Sequence, residues 1–300
     1  EEAPETTAQT AAAETSALPT AEPAPSSSAP PASSSADNGA ALGITAQSAV
    51  LYDCASGNIL VRQKMDNLVY PASTVKMLTA LTVLRYVPLT DVVTVGEELN
   101  LVQPHSSLAY LAQGQQLTVD MLLHALLIPS GNDAAYTIAA YTGRVIAGNP
   151  SLDAASAVSV FVNSMNSIAA ELGMKDSHFT NPDGYDDAAQ QTTAYDLALL
   201  GAEFVRHPEL TAITSLSSYN AVFLTGETIS WENTNDLVNS ASSSYVPECI
   251  GLKTGSSSYS GHCLVSAFNR GGHLYIAVVM NSSTAGRWSD SLILYQNIPA

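Results

Sequence analysis

Ser73 and Lys76 stand three residues apart at the start of an apolar stretch, Pro71-Ala72-Ser73-Thr74-Val75-Lys76-Met77-Leu78. Residues at i and i+3 share one face of a helix, so this hydroxyl and this amine can meet in a single turn as nucleophile and base. A serine at a helix start also has free backbone N–H groups beside it, which favour a developing oxyanion. Two further groupings bear polar side chains suited to the same work: Ser130-Gly131-Asn132 and Lys253-Thr254-Gly255. Taken singly, each has a plainer reading. Ser73 can be an N-cap, Lys76 a solvated lysine, Ser130-Gly131-Asn132 a turn and Lys253-Thr254-Gly255 a strand end.

The elements that must position these residues are legible around them. Residues 48–54 and 58–63 read as a hairpin, followed by a helix over 74–86 that stops before Pro88. Its apolar residues do not form one narrow stripe, which predicts burial on most sides. Short strands are expected at 92–95 and 115–118, with no chemistry between residues 89 and 118. Helices follow at 119–127, 133–141, 153–173 and 193–206, the last closed by Pro208, so Ser130 and Asn132 fall in an interhelical loop. The final third changes to apolar runs at 250–254, 262–268 and 274–280, an antiparallel meander ending in a short helix at 289–295. Strands at both ends of the chain predict one antiparallel sheet with a helical segment inserted.

Three hundred residues at 46% hydrophobic content can bury a large core. Residues 1–39 differ: Ala, Pro, Ser, Thr and Glu dominate, with no aromatic residue, Lys or Arg, so they read as a disordered tail before a domain over 40–300. Six of the 27 acids lie there, leaving 21 against all ten Lys and Arg, a formal net charge of −11. No basic stripe exists to neutralise phosphates, which excludes nucleic acid as a partner. No apolar run reaches membrane-spanning length, and no signal-peptide pattern is present, so an export signal is expected to have been removed. The acidic, Pro/Ser/Thr-rich leader fits a secreted or cell-wall-associated protein. Cys54, Cys249 and Cys263 lack metal-ligand spacing. Cys249 and Cys263 bracket a predicted hairpin and read as buried free thiols, with a disulfide between them as the alternative.

Ser-x-x-Lys, a Ser-x-Asn triplet and Lys-Thr-Gly occur here in that order, 57 and then 123 residues apart. Together they resemble the Ser-x-x-Lys, Ser-Asp-Asn and Lys-Thr-Gly signature of penicillin-binding proteins and class A β-lactamases, with Gly131 in place of the middle Asp. With its flanks Tyr70-Pro71-Ala72 and Ile250-Gly251-Leu252, the sequence resembles the low-molecular-mass serine D-alanyl-D-alanine carboxypeptidases. Phe179-Thr180-Asn181-Pro182-Asp183-Gly184, Thr193-Ala194-Tyr195-Asp196-Leu197-Ala198 and Gly261-His262-Cys263-Leu264-Val265 extend the resemblance to about residues 45–298. It departs at Gln190-Gln191-Thr192, where the family often has a histidine, and Gln191 is given no role.

The resemblance implies an α/β (α+β) fold of the β-lactamase and penicillin-binding-protein type, its antiparallel sheet built from both chain ends and flanked by helices. It implies Ser73 as nucleophile, Lys76 as general base and Ser130 as proton relay. Asn132 is expected to hold the substrate amide, and Lys253 and Thr254 its terminal carboxylate. Gly255 lets the strand approach the ligand, and the N–H groups of Ser73 and Ser256 form the oxyanion hole. Lys76 can act as base only with a lowered pKa, expected from burial and from the like charge of Lys253. The implied ligands are the acyl-D-Ala-D-Ala end of peptidoglycan stem peptides and β-lactams as covalent inhibitors, with no metal, organic cofactor or protein partner. Four alternatives are a D,D-endopeptidase or transpeptidase, a β-lactamase, a surface binding module without catalysis, and an unrelated domain with chance motifs. No glutamate-bearing motif of the kind class A β-lactamases use for deacylation stands between Ser130 and Lys253.

Overall fold

Strands β1 (Ser48–Asp53) and β2 (Ile59–Gln63) form the expected hairpin, and β7 (Cys249–Ser257), β8 (Gly261–Arg270) and β9 (His273–Ser282) the expected meander. The two ends join because β1 pairs antiparallel with β9, Val50 opposite Val278, giving a five-stranded sheet of order β2-β1-β9-β8-β7. This computed structural model describes residues 36–299. The first 35 residues of the expected tail lie outside that range. Asn38 and Gly39, placed in the tail by composition, donate their backbone N–H groups to the Arg62 carbonyl on β2 at 3.1 and 3.0 Å.

The sheet strands are apolar almost throughout because both faces are covered. Side chains alternate between two cores with the strand period of two. Ala49, Leu51, Leu264, Phe268, Ala277 and Val279 point to one core, which includes Leu294 of α7 (Gly286–Gln296). Val50, Val265, Ala267, Ile276, Val278 and Met280 point to the other, shared with the inserted helices.

Those helices are α1 (Lys76–Tyr86), α2 (Val119–Leu127), α3 (Asn132–Ala147), α4 (Ala154–Glu171), α5 (Ala194–Phe204) and α6 (Pro208–Thr214). Every residue of α1 from Lys76 to Val83 is buried, as its lack of a single apolar stripe predicts. The small strands β3 (Val92–Thr94) and β4 (Gln116–Thr118) pair with each other. A second hairpin, β5 (Ser218–Val222) with β6 (Thr228–Glu232), was not expected. Pro208 does not close the preceding helix; it opens α6, where a missing N–H costs nothing at the first turn.

Helix α3 runs six residues beyond the expected end, through Gly143. That glycine is a contact: a Cβ there would lie 1.9 Å from the Ala157 carbonyl oxygen on α4. Helix propensity alone favours Gly143→Ala by about 1 kcal/mol. Backbone overlap outweighs it, so Gly143→Ala is expected to destabilise by about 1–3 kcal/mol, seen as a lower urea midpoint. A raised midpoint would contradict this packing.

Cys249 and Cys263 are free and buried. Across the β7–β8 pair, Cys249 faces Phe268 and Cys263 faces Gly255, so the hairpin register sets them apart.

Candidate active site

The turn that carries Ser73 is a short 3-10 segment, Ala72–Val75, running directly into α1. It is anchored by the Thr74 hydroxyl, which donates to the Pro71 carbonyl at 2.7 Å. Ala72 adopts φ +46°, a left-handed conformation an alanine seldom takes. Two glycines press against it. A Cβ on Gly184 would sit 1.9 Å from the Ala72 carbonyl oxygen, and one on Gly255 3.2 Å from the Ser73 nitrogen. Gly255 thus brings β7 against the nucleophile turn with no side chain between.

Lys76 is fully buried, and its Nζ has three partners: Ser73 Oγ at 2.9 Å, Asn132 Oδ1 at 2.7 Å and the Asp183 carbonyl oxygen at 2.7 Å. Two of these can only accept. A neutral amine has two N–H donors for them and a lone pair for the Ser73 hydroxyl proton. Burial lowers the Lys76 pKa to about 8, against an opposing pull from Asp183 and Asp133. The like charge of Lys253, expected from sequence to share in this fall, is not among its causes. The repulsion instead weighs on Lys253, which is held well below the ordinary lysine range by burial, then by Lys76 and Arg287.

Asn132 begins α3 and spans two walls of the cleft. Its Oδ1 accepts from Lys76, and its Nδ2 donates to Ser106 Oγ at 2.9 Å, leaving one further N–H on that nitrogen. Ser130 lies in the α2–α3 loop at φ +65°, and its carbonyl accepts from Ser107 Oγ at 2.8 Å. Among the described residues its hydroxyl makes no hydrogen bond. The buried Asp133 carboxylate accepts from the N–H groups of Ala109, Leu111 and Ala134 at 2.8–2.9 Å, pinning the 106–111 segment to the start of α3.

On β7, Lys253 Nζ reaches the Thr254 carbonyl at 3.2 Å, and Thr254 Oγ1 shares a 2.5 Å hydrogen bond with Thr234 Oγ1. Lys253 is thus coupled to Lys76 electrostatically, without a direct hydrogen bond. Ser256 Oγ pairs with His262 Nδ1 at 3.0 Å and accepts from Arg287 at 3.0 Å. Ser73, Asn132 and Ser256 line one cleft of about 260 Å³ with Ser106, Ser107 and Tyr185. Asp186, also in its wall, accepts from Ser258 Oγ at 3.1 Å, and the Tyr185 hydroxyl donates to the Pro104 carbonyl at 3.4 Å.

Of the eight residues expected from sequence, Ser73, Asn132 and Ser256 line the cleft, Lys76 hydrogen-bonds the first two and Gly255 packs against the Ser73 turn, while Ser130, Lys253 and Thr254 lie outside its lining, Ser130 tied in by its carbonyl to Ser107 and Lys253 by its charge to Lys76. Sequence reasoning missed Ser106 and Ser107 in a stretch read as without chemistry, as well as Thr234, Asp183 and Arg287. None belongs to a spacing pattern; only the fold brings them in. The exposed Gln191 contributes a backbone bridge to His178.

A family profile described as D-alanyl-D-alanine carboxypeptidase matches residues 33–284. The chain belongs to this family. It is accordingly a serine-type peptidase, a hydrolase with D-alanyl-D-alanine carboxypeptidase function, and its fold is that of penicillin-binding proteins and β-lactamases. The D-alanyl-D-alanine carboxypeptidase of Streptomyces strain K15 is 32% identical over 79% of this chain and 81% of its own length. The crystal structure of the Streptomyces K15 DD-transpeptidase superposes with a TM-score of 0.77 at 30% identity, over 85% of this chain and 97% of that one. Penicillin-binding protein D2 of Listeria monocytogenes, in an ampicillin-bound form, gives 0.69 at 27% identity with the same coverage. Other curated carboxypeptidases of the family are longer, and this chain spans 58–61% of their length.

Proposed function

We propose that this chain removes the terminal D-alanine from peptidoglycan stem peptides through an acyl-enzyme on Ser73. The observation that carries the reading is the unbroken hydrogen-bond path from Ser73 Oγ through Lys76 Nζ to Asn132 Oδ1, closed from below by the Asp183 carbonyl. Ser73 Oγ attacks the carbonyl of the penultimate residue while its proton passes to Lys76 Nζ. The oxyanion is held by the backbone N–H groups of Ser73 and Ser256, which the approach at Gly255 supports. The C–N bond then breaks, and a proton delivered through Ser130 leaves with the D-alanine amine. Asn132 offers its remaining N–H to the substrate amide. Water hydrolyses the ester and frees Ser73.

Lys253, Thr254 and Arg287 bind the substrate's terminal carboxylate. Burial, with Lys76 and Arg287 nearby, holds Lys253 well below the ordinary lysine range; burial lowers Arg287 too, but a guanidinium keeps its charge, so Arg287 supplies a lasting cation. β-Lactams enter by the same attack and stay as stable esters. Nothing in the cleft wall supplies the glutamate of a class A β-lactamase; its carboxylate, Asp186, is engaged by Ser258. The substrate places the protein outside the cytoplasm, at the cell wall. Among the described residues no helix is long and apolar enough to cross a membrane.

A second reading, transfer of the acyl group to an amine, is favoured by the likeness to the Streptomyces K15 DD-transpeptidase. Incubation with an N-acylated L-Lys-D-Ala-D-Ala tripeptide, with and without an added amine acceptor, separates the two. Free D-alanine with the shortened acid as main product is expected in both cases. A dominant amide product would establish transfer, and no D-alanine release in either case would overturn both readings.

A further inference from the structure

Asp183 is fully buried, and its carboxylate is only half used: Oδ1 accepts from the Tyr185 N–H at 3.2 Å, while Oδ2 has no partner among the described residues. An orphaned buried oxygen is costly and calls for a reason. The loop cannot swing it out. Thr79 Oγ1 donates to the Pro182 carbonyl at 2.6 Å, Asn181 Oδ1 accepts from the Gly184 N–H at 2.8 Å, and Gly184 lies flat against the Ala72 carbonyl. Through its own carbonyl, Asp183 also holds Lys76 Nζ.

We propose that Asp183 is a positioning residue whose buried carboxylate supplies the counter-charge for Lys76 as that lysine takes the Ser73 proton. The inference rests on the reading of Lys76 as base. A new cation in a buried site is costly unless a charge answers it. The charged groups around Lys76 are Asp133 from α3, Asp183, and Lys253 from β7, which carries the like-charge repulsion of the pair. Asp133 is committed to three backbone N–H groups, so the carboxylate with unspent capacity is Asp183. Lys76 and Asp183 act on each other: Asp183 holds the Lys76 pKa up, and Lys76 draws down an Asp183 carboxyl that burial raises. Tyr136, from the next turn of α3 after Asn132, also feels Asp183, which with burial raises its hydroxyl.

The test is the second-order acylation rate by a fluorescent penicillin from pH 5.5 to 10 for wild type and Asp183→Asn, alongside their melting temperatures. Loss of the anion lowers the Lys76 pKa, so the acid limb is expected to move down by roughly one pH unit. The high-pH plateau is expected to fall about tenfold, because a weaker base now carries an unanswered charge. A purely structural role would lower the plateau and the melting temperature and leave the limb in place, which overturns the proposal, as does a superimposable profile. Should Asn not fold at this buried position, Asp183→Ser removes the charge with less bulk and must move the limb the same way. If wild type shows no acid limb, or Lys76→Ala acylates normally, the reading of Lys76 falls instead, separately from Asp183.

Discussion

Ser73→Ala is expected to abolish D-alanine release and every covalent penicillin adduct, with thermal unfolding nearly unchanged. The basis is geometric: Ser73 Oγ is the hydroxyl on the Lys76 amine, in a turn that Gly184 and Gly255 both press into place. Folding of that turn does not depend on the hydroxyl, because Thr74 anchors it through Pro71 and Lys76 keeps its other two partners. One side-chain hydrogen bond is worth about 1 kcal/mol, too little to unfold the domain. Persistent labelling of the variant would move the nucleophile elsewhere.

Lys76→Ala is expected to cut acylation at neutral pH on the order of a thousandfold, within the range of positioned general bases. Its pH dependence in wild type follows from the same group. With a pKa near 8, about a tenth of the molecules hold the neutral amine at pH 7. Protonation removes the base, so the acylation rate should fall as pH drops below 8 and level off above it. Lys76→Ala should lose that limb together with the rate. Near-wild-type acylation in the variant would remove Lys76 as the base. Part of the loss is structural, since Asn132 Oδ1 and the Asp183 carbonyl would be left without their donor in a buried site. A melting curve on the same sample separates the two contributions.

Much of this architecture can be read directly from residue patterns. The sheet is legible because its strands are covered on both faces and so form continuous apolar runs between glycine turns. Helix α1 is legible because its apolar residues point in every direction. The β5–β6 hairpin is hidden by the opposite circumstance: Ser218–Val222 and Thr228–Glu232 each bury one side chain, Ala221 and Trp231, so neither forms a continuous apolar run. The end of α3 is masked by Gly143, which looks like a breaker and is in fact a seat for the α4 backbone. Pro208 misleads in the same way, since it looks like a helix stop and in fact starts α6.

The site divides along similar lines. Ser73, Lys76, Ser130, Asn132 and Lys253 announce themselves through order and spacing. Asp183 lies in a stretch that resembles the family and yet carries no motif role, because a lone acid in a loop gives no sign of which lysine it will face. Ser106 and Ser107 reach the cleft only because Asp133 pins their segment to α3. Arg287 sits 34 residues beyond Lys253, on the far side of the meander, and β8 and β9 must pair before the two cations feel each other.

The central claim is an acyl-enzyme on Ser73, and intact-mass spectrometry of the protein incubated with benzylpenicillin over several hours tests it most directly. The prediction is one drug per chain, stable over that time and mapping to the tryptic peptide 65–76 that contains Ser73. An adduct on any other residue, or consumption of the drug with no adduct at all, would contradict it.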